Sequence, residues 1–338
     1  MGEPRACHAL IVLPERFLDD VYGGEVYHAL DSRVQWSAPP QLPGAVVAEP
    51  ALLQTVEALF TGWGCPALDA ALLAAAPALR VVFYAAGSVR QIVTEAFWNR
   101  GITITSAAAA NAIPVAEFAL GVIFLSLKHA WQFAREARRE GRLPTGEALP
   151  RLPGGCGSTV GLISLGQVGR LVARRLASTD VRVIAYDPFV TEGEARQLGV
   201  ERVELAEVFR RSDVVSLHAP LLPATRGLIR REHFAAMKPG ATFLNTARGA
   251  IVREDEMTEV LRARPDLTAW LDVTDPEPPV SGSPLYRLPN VILTPHVAGS
   301  LGRECRRFGR TMVDELDRYL AGVPLAHEVT RRVAAQLA

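Results

Sequence analysis

Three short segments place an uncommon polar residue where an apolar run ends: Arg248 in NTARG (245–249), Glu277 in LDVTDPEP (271–278) and His296 in TPHVAG (294–299). In an open parallel sheet the carboxyl ends of the strands line the ligand crevice, so residues this far apart in sequence can converge on one point. The three side chains suit the movement of a proton beside an anion. An imidazole that titrates near neutrality both gives and takes a proton. A carboxylate beside it favours the imidazolium and fixes the ring tautomer. A guanidinium presents a planar fork that grips a carboxylate through two hydrogen bonds, whereas lysine offers a point charge. Each residue also has a structural reading. His296 can hydrogen-bond within a buried loop, Glu277 can be a solvated acid among prolines near Asp275, and Arg248 before Gly249 can pair with Glu254 or Asp255. The ordered occurrence of all three behind a nucleotide-binding segment favours chemistry.

That segment is TVGLISLGQVGRLVARRLA, which runs from an apolar strand through Gly166 and Gly169 into a helical pattern; Asp187 closes the next strand, VRVIAYD, 18 residues after Gly169. Glycines at such a turn let backbone N–H groups at a helix N-terminus approach a pyrophosphate, and an acid near that spacing accepts from the adenine-ribose hydroxyls. A dinucleotide is expected, and the carboxylate disfavours the extra phosphate of NADP, so the cofactor expected is NAD. Ser164 stands where the fingerprint has its first glycine and demands a turn that a residue with a Cβ can adopt. A G-x-x-G after a strand is a weak signal alone, since ordinary strand-to-helix turns share it.

The elements that must position these residues alternate between strand and helix. HALIVL, AVVAEP, ALFTGWG, RVVFYAAG and ITITSA are strand candidates in the first hundred residues, separated by alanine- and leucine-rich helical patterns. This alternation predicts a parallel sheet covered on both faces. From Asn111 one long helix is expected, NAIPVAEFALGVIFLSLKHAWQFAREARREG, with Pro114 in its first turn and Gly141 as its stop. Residues 142–158, rich in Pro and Gly, read as a loop or extended arm. TVGLISL, VRVIAYD, VVSLHAP, ATFLNTA, LTAWLDV and VILTPHV then follow as strands of a doubly wound nucleotide-binding domain, and a final helix is expected from about Glu304 to Leu320.

Composition narrows the class. At 338 residues with a 49% hydrophobic share, two globular domains are the natural expectation. Thirty-six basic residues balance thirty-six acidic ones, so no overall field draws the chain to nucleic acid or to an anionic membrane; the partner expected is a small molecule or a second copy. Cys7, Cys65, Cys156 and Cys305 lie far apart without ligand spacing, which argues for reduced thiols in the cytoplasm and against a disulfide framework or a metal site. The N-terminal apolar run is too short for a signal peptide, so export is not expected. FALGVIFLSL (118–127) is about half the length needed to span a bilayer and reads as a buried helix.

Taken together, these motifs resemble the D-isomer-specific 2-hydroxyacid dehydrogenase family, over most of the chain from about RVVFYAAGSV to the end of TPHVAG. The resemblance implies an α/β fold of two doubly wound parallel-sheet domains, with a Rossmann cofactor domain (111–299) inserted in a flavodoxin-like substrate domain (1–110 and 300–338) and closure of the two around substrate. It implies that Arg248, Glu277 and His296 are catalytic: hydride delivery to a keto carbon develops charge on oxygen, which a proton donor must meet. Asp272 would face the nicotinamide carboxamide, and Ala219 and Pro220 of SLHAPLLPATRG would lie against the cofactor, with no acid/base role for His218. The cofactor contacts on this reading are Ser164, Gly166, Gln167, Val168, Gly169, Asp187, Ala219, Pro220, Thr246, Ala247, Arg248, Asp272, His296 and Gly299. Alignment to the following Gly101-Ile102 places Ala86, Gly87 and Ser88 in the loop that binds the substrate carboxylate through backbone N–H groups. Arg90 then stands where the family commonly has Asp or Asn, and would select a small anionic 2-keto or 2-hydroxy acid with a second negative group, unless it pairs with Glu95 or points to solvent. Trp63 in TGWGCP either walls the same pocket or packs at the core edge. His8, His28, His129, His233 and His327 have no partner pattern. The long helix and the loop after it match the family's dimerisation region, so a homodimer is expected. The alternative is a non-catalytic, NAD(H)-sensing co-repressor of the same architecture; the neutral charge weighs against direct nucleic-acid contact. A formate dehydrogenase is disfavoured, since that family has Gln where Glu277 stands.

Overall fold

Short runs of Val, Ile, Leu and Phe with no polar interruption mark the strands buried on both faces, such as VVFY and VVSL, and the structure, a computed structural model, contains twelve strands in all among its described residues, 7–143, 145 and 152–335. The chain divides into two units, Met1–Asn111 with Ser300–Ala338, and Ala112–Gly299.

In the first unit β1 (Cys7–Val12), β2 (Val34–Trp36), β3 (Ala58–Thr61), β4 (Val81–Tyr84) and β5 (Thr103–Ser106) form an all-parallel sheet in the order β2-β1-β3-β4-β5. Successive residues of β1 feed opposite cores. Leu10 and Val12 join one with Leu59, Val82 and Ile104, while Ala9, Ile11 and Leu13 join the other with Phe60, Phe83 and Phe308. Burying each such large aliphatic or aromatic side chain stabilises the unit by roughly 1.5–3 kcal/mol. The helix Arg306–Leu320 covers the second face through Phe308, Met312 and Leu316. Its buried Glu315 accepts from the N–H groups of Ala326 and His327 at 3.1 Å each. The segment so held pairs with the β5 edge, where Ser106 N–H donates to His327 O and Val329 N–H to Ile104 O.

The second unit holds β6 (Thr159–Ile163), β7 (Arg182–Tyr186), β8 (Val200–Arg202), β9 (Val214–Leu217), β10 (Thr242–Asn245), β11 (Thr268–Leu271) and β12 (Val291–Leu293), all parallel in the order β12-β11-β10-β9-β6-β7-β8. The order reverses between β6 and β9. A crevice therefore opens at their carboxyl ends, the place where open α/β sheets take ligands.

Several expected elements differ. AVVAEP is not a strand: Pro43–Ala48 is a helix with proline in its first turn, and the neighbouring strand is instead β2. A six-residue apolar run carries no period long enough to separate the two states. The long helix is two, Ala108–Leu127 and Ala130–Glu140, broken at His129, whose φ of 50° is left-handed. Because the first begins at Ala108, Pro114 lies inside it rather than in its first turn. The Ala108–Leu127 helix is by length and composition apolar enough to cross a membrane, a test that the core helix of a globular protein passes equally. Ala116, Ala119, Val122, Ile123 and Leu127 pack against Val160 and Leu162 of the sheet, whereas Phe124 and Leu125 are exposed, so the helix is buried on one side only. In the expected loop at 142–158, residues 144 and 146–151 lie outside the described residues.

Candidate active site

All six β-to-loop junctions that the sequence singled out in the second unit emerge on the same edge of the sheet: Leu165–Gly169 after β6, Asp187 after β7, His218–Pro220 after β9, Thr246–Gly249 after β10, Asp272–Glu277 after β11 and Thr294–His296 after β12.

The turn after β6 is built for close approach. Ser164 adopts the left-handed conformation at φ 79°, and its hydroxyl reaches Asp187 Oδ2 at 3.2 Å. That bond rewards a backbone conformation that costs a non-glycine residue of order 1 kcal/mol. A Cβ on Gly169 would stand 2.1 Å from Ser164 O, so helix-to-turn packing requires glycine there. On Gly166 a Cβ would meet nothing nearer than 3.7 Å. The chain itself does not require that glycine, which leaves the start of the Gln167–Leu176 helix open to an anion. Thr246 Oγ1 and His218 Nδ1 are buried polar atoms without partners at the ends of β10 and β9. Such atoms fit a polar ligand on this edge. His218 accepts or donates at Ser216 Oγ through Nε2 (2.9 Å), and burial pushes its titration down to about 4, so it stays neutral.

Asp187 is nearly buried and already engaged: Oδ2 accepts from Leu165 N–H at 2.7 Å and Oδ1 from Phe189 N–H at 2.8 Å. It thus shapes the turn at the end of β7. Arg202 Nε donates to the backbone carbonyl of Asp187 at 3.3 Å. Asp187→Ser is expected to weaken NADH binding by roughly tenfold or more, as charge-assisted bonds are lost. It should also narrow the preference against NADPH, because the carboxylate's repulsion of the extra phosphate is removed. Fluorescence titration of both nucleotides tests this; a native protein that already prefers NADPH would refute the assignment.

On the β10–β12 side the loops are tied by buried side chains. Asn245 accepts from Ala247 N–H (2.9 Å) and donates to Arg248 O (3.1 Å), which shapes NTARG. Arg248 does not pair with Glu254 or Asp255. Its guanidinium donates to Ala247 O at 2.6 Å, and burial lowers its titration while the charge of Glu277 opposes that shift. Asp272, 2% exposed, accepts from Thr294 Oγ1 (2.6 Å), Val297 N–H and Ala298 N–H (2.9 Å each). Its carboxylate is therefore committed to the loop that carries His296, a task the sequence reading missed. His296 itself sits at φ 54°, its N–H directed to Asp272 O. Its Nδ1 lies 2.6 Å from Glu277 Oε1. Both side chains are 40% or more exposed, so this pair adds little to folding stability, and its value lies in orienting the ring.

In the first unit Ala86–Ser88 follow β4. Ser106 Oγ lies 3.0 Å from Ala86 O and 2.5 Å from Gly87 O, bracing the turn, and a Cβ on Gly87 would meet nothing within 4 Å. Arg90 is exposed, and its N–H donates to Ser88 Oγ. Glu95, its suggested partner, pairs with Arg331. Trp63 packs between Phe17 (5.2 Å) and Phe308 (5.4 Å) at the edge of the core. Among the described residues no cluster of three metal-ligating side chains occurs.

A doubly wound parallel sheet with a glycine turn after its first strand and an acid after its second defines the dinucleotide-binding proteins. More narrowly, the chain belongs to the D-isomer specific 2-hydroxyacid dehydrogenases, whose NAD binding domain matches residues 120–298. It is 34% identical to D-3-phosphoglycerate dehydrogenase of Archaeoglobus fulgidus over 265 residues, 78% of this chain and 49% of that protein. It is 36% identical to (S)-sulfolactate dehydrogenase of Chromohalobacter salexigens over 254 residues, 75% of this chain and 81% of that protein. The chain thus spans about half the length of the phosphoglycerate dehydrogenases it matches. The apo crystal structure of D-mandelate dehydrogenase from Rhodotorula graminis superposes with a TM-score of 0.78 at 25% identity, covering 97% of this chain and 98% of that one.

Proposed function

We propose that this chain is an NAD-dependent oxidoreductase interconverting a small anionic 2-keto acid and its 2-hydroxy acid, working as a cytoplasmic homodimer. The observation that carries this reading is the 2.6 Å contact of His296 Nδ1 with Glu277, next to Arg248, on the sheet edge that also bears the glycine turn and Asp187. NADH, when bound, supplies the hydride. With Nδ1 held by Glu277, His296 Nε2 gives its proton to the substrate oxygen in reduction and takes it back in oxidation. Arg248 grips the substrate carboxylate. Asp272 orients the nicotinamide end indirectly, by fixing the 294–298 loop. Exposed Phe124, Leu125 and Trp131 support pairing of two copies along the Ala108–Leu127 and Ala130–Glu140 helices, and four unpaired cysteines support a reducing compartment.

An NADH-oxidation screen across glyoxylate, pyruvate, hydroxypyruvate, longer 2-keto acids and phosphonate analogues tests the activity; tight NADH binding without turnover on any of them would refute it. Glu277→Gln is expected to shift the alkaline fall-off of keto-acid reduction to lower pH, because the removed charge had favoured the proton-loaded ring. An unchanged pH profile removes Glu277 from this role. The acids in the relatives' names, phosphoglycerate and sulfolactate, each carry a second anionic group. We therefore assign Arg90 to that group. Arg90→Ala should raise KM for doubly charged keto acids by roughly tenfold while sparing pyruvate and glyoxylate. Equal effects on both classes would remove Arg90 from substrate selection.

A further inference from the structure

The loop that carries Glu277 has few means of holding its shape. Across Asp275-Pro276-Glu277-Pro278 the two prolines lack an N–H, so only Asp275 and Glu277 can donate from the backbone. Glu254 takes the first of these, with Oε2 3.2 Å from Asp275 N. Glu254 opens the helix Glu254–Ala263, in the stretch that follows the Arg248 loop. Its side chain turns away from that helix to the facing loop. The approach is close because Gly249 has no side chain: a Cβ there would stand 2.0 Å from Thr274 C and 2.5 Å from Asp275 N. Thr274 Oγ1 donates to Pro276 O at 2.8 Å, and Arg226 lies 3.8 Å from the Asp275 carboxylate.

We infer that Glu254 is a positioning residue, which through Asp275 N–H holds the 274–278 loop so that Glu277 meets His296 Nδ1. This rests on the acid/base reading of His296 and Glu277 given above. Burial pushes the Glu254 titration upward against the lowering effect of the Asp275 N–H bond, and the charges of Asp275 and Asp255 add to the rise, with Arg253 beside Asp255 and Arg226 beside Asp275. Glu254 does not touch the reacting atoms. Its loss acts by letting Glu277 drift, and small misplacements of this kind are costly to turnover.

The test is a double-mutant cycle on the full chain, with pH profiles of NADH-dependent reduction of hydroxypyruvate and glyoxylate for Glu254→Ala, Glu277→Gln and the double variant. Glu254→Ala is expected to lower kcat roughly tenfold and to shift the alkaline limb toward that of Glu277→Gln. Glu254→Gln should restore both, since its amide oxygen accepts the same N–H. In the Glu277→Gln background, Glu254→Ala should add little. Should Glu254→Ala fail to fold, Glu254→Asp keeps the charge, shortens the reach by one methylene, and is expected to show the same pH shift. An unshifted profile in the folded variant, or an undiminished effect in the Glu277→Gln background, overturns the inference. If Glu277→Gln alone changes neither rate nor profile, the acid/base reading fails first.

Discussion

Replacing His296 by Asn or Ala is expected to lower keto-acid reduction by roughly a hundredfold or more, the scale of a lost general acid. Asn is the sharper variant. It tolerates the left-handed backbone that His296 adopts at φ 54°, so it removes the proton donor with less disturbance of the 294–298 loop than Ala does. NADH affinity should stay near that of the native chain, because the turn after β6 and Asp187 are untouched. Turnover and fluorescence titration of NADH, measured on one preparation, check both halves. A variant with near-native turnover would exclude His296 as the acid/base.

The second large effect is expected at Asp272, and there it appears as lost stability together with lost turnover. Asp272→Ala strips acceptors from Thr294 Oγ1, Val297 N–H and Ala298 N–H in a site that is 2% exposed. Unsatisfied buried donors cost about 1–3 kcal/mol each, so a loss of about 3 kcal/mol or more is expected. For a unit of this size that lowers Tm by roughly 6–12 °C. Turnover should fall as well, since the same three bonds place His296. Asp272→Asn should recover only part, because its NH2 would face one of the donors. Calorimetry of the two variants decides: an Asn variant as stable as the native chain would show that the carboxylate does not hold the loop.

These expectations separate what could be read from the chain and what could not. The alternation of short apolar runs with helical patterns was enough for two parallel α/β sheets, because strands buried on both faces leave a local mark in composition. The glycine turn, Asp187 and the ordered Arg, Glu and His motifs were legible for a related reason: strand ends in such a sheet share one edge, so local signals combine without knowledge of distance. Weak local signals failed. AVVAEP, Pro114 and the break at His129 depended on packing of neighbouring segments, which outweighs the small propensity differences in six or seven residues.

Tertiary structure alone decided what the polar residues are bonded to. The partners of the Asp272 carboxylate lie 22 to 26 residues away, and no local pattern announces them. Glu254 and Asp275 stand 21 residues apart, and only the close crossing at Gly249 brings them together. The ring neighbours of Trp63, Phe17 and Phe308, one of them 245 residues distant, are likewise set by long-range packing. A residue type declares which hydrogen bonds and contacts a side chain can make; burial and long-range crossings select the few it does make, because each buried donor or acceptor left without a partner costs more than a local preference can supply.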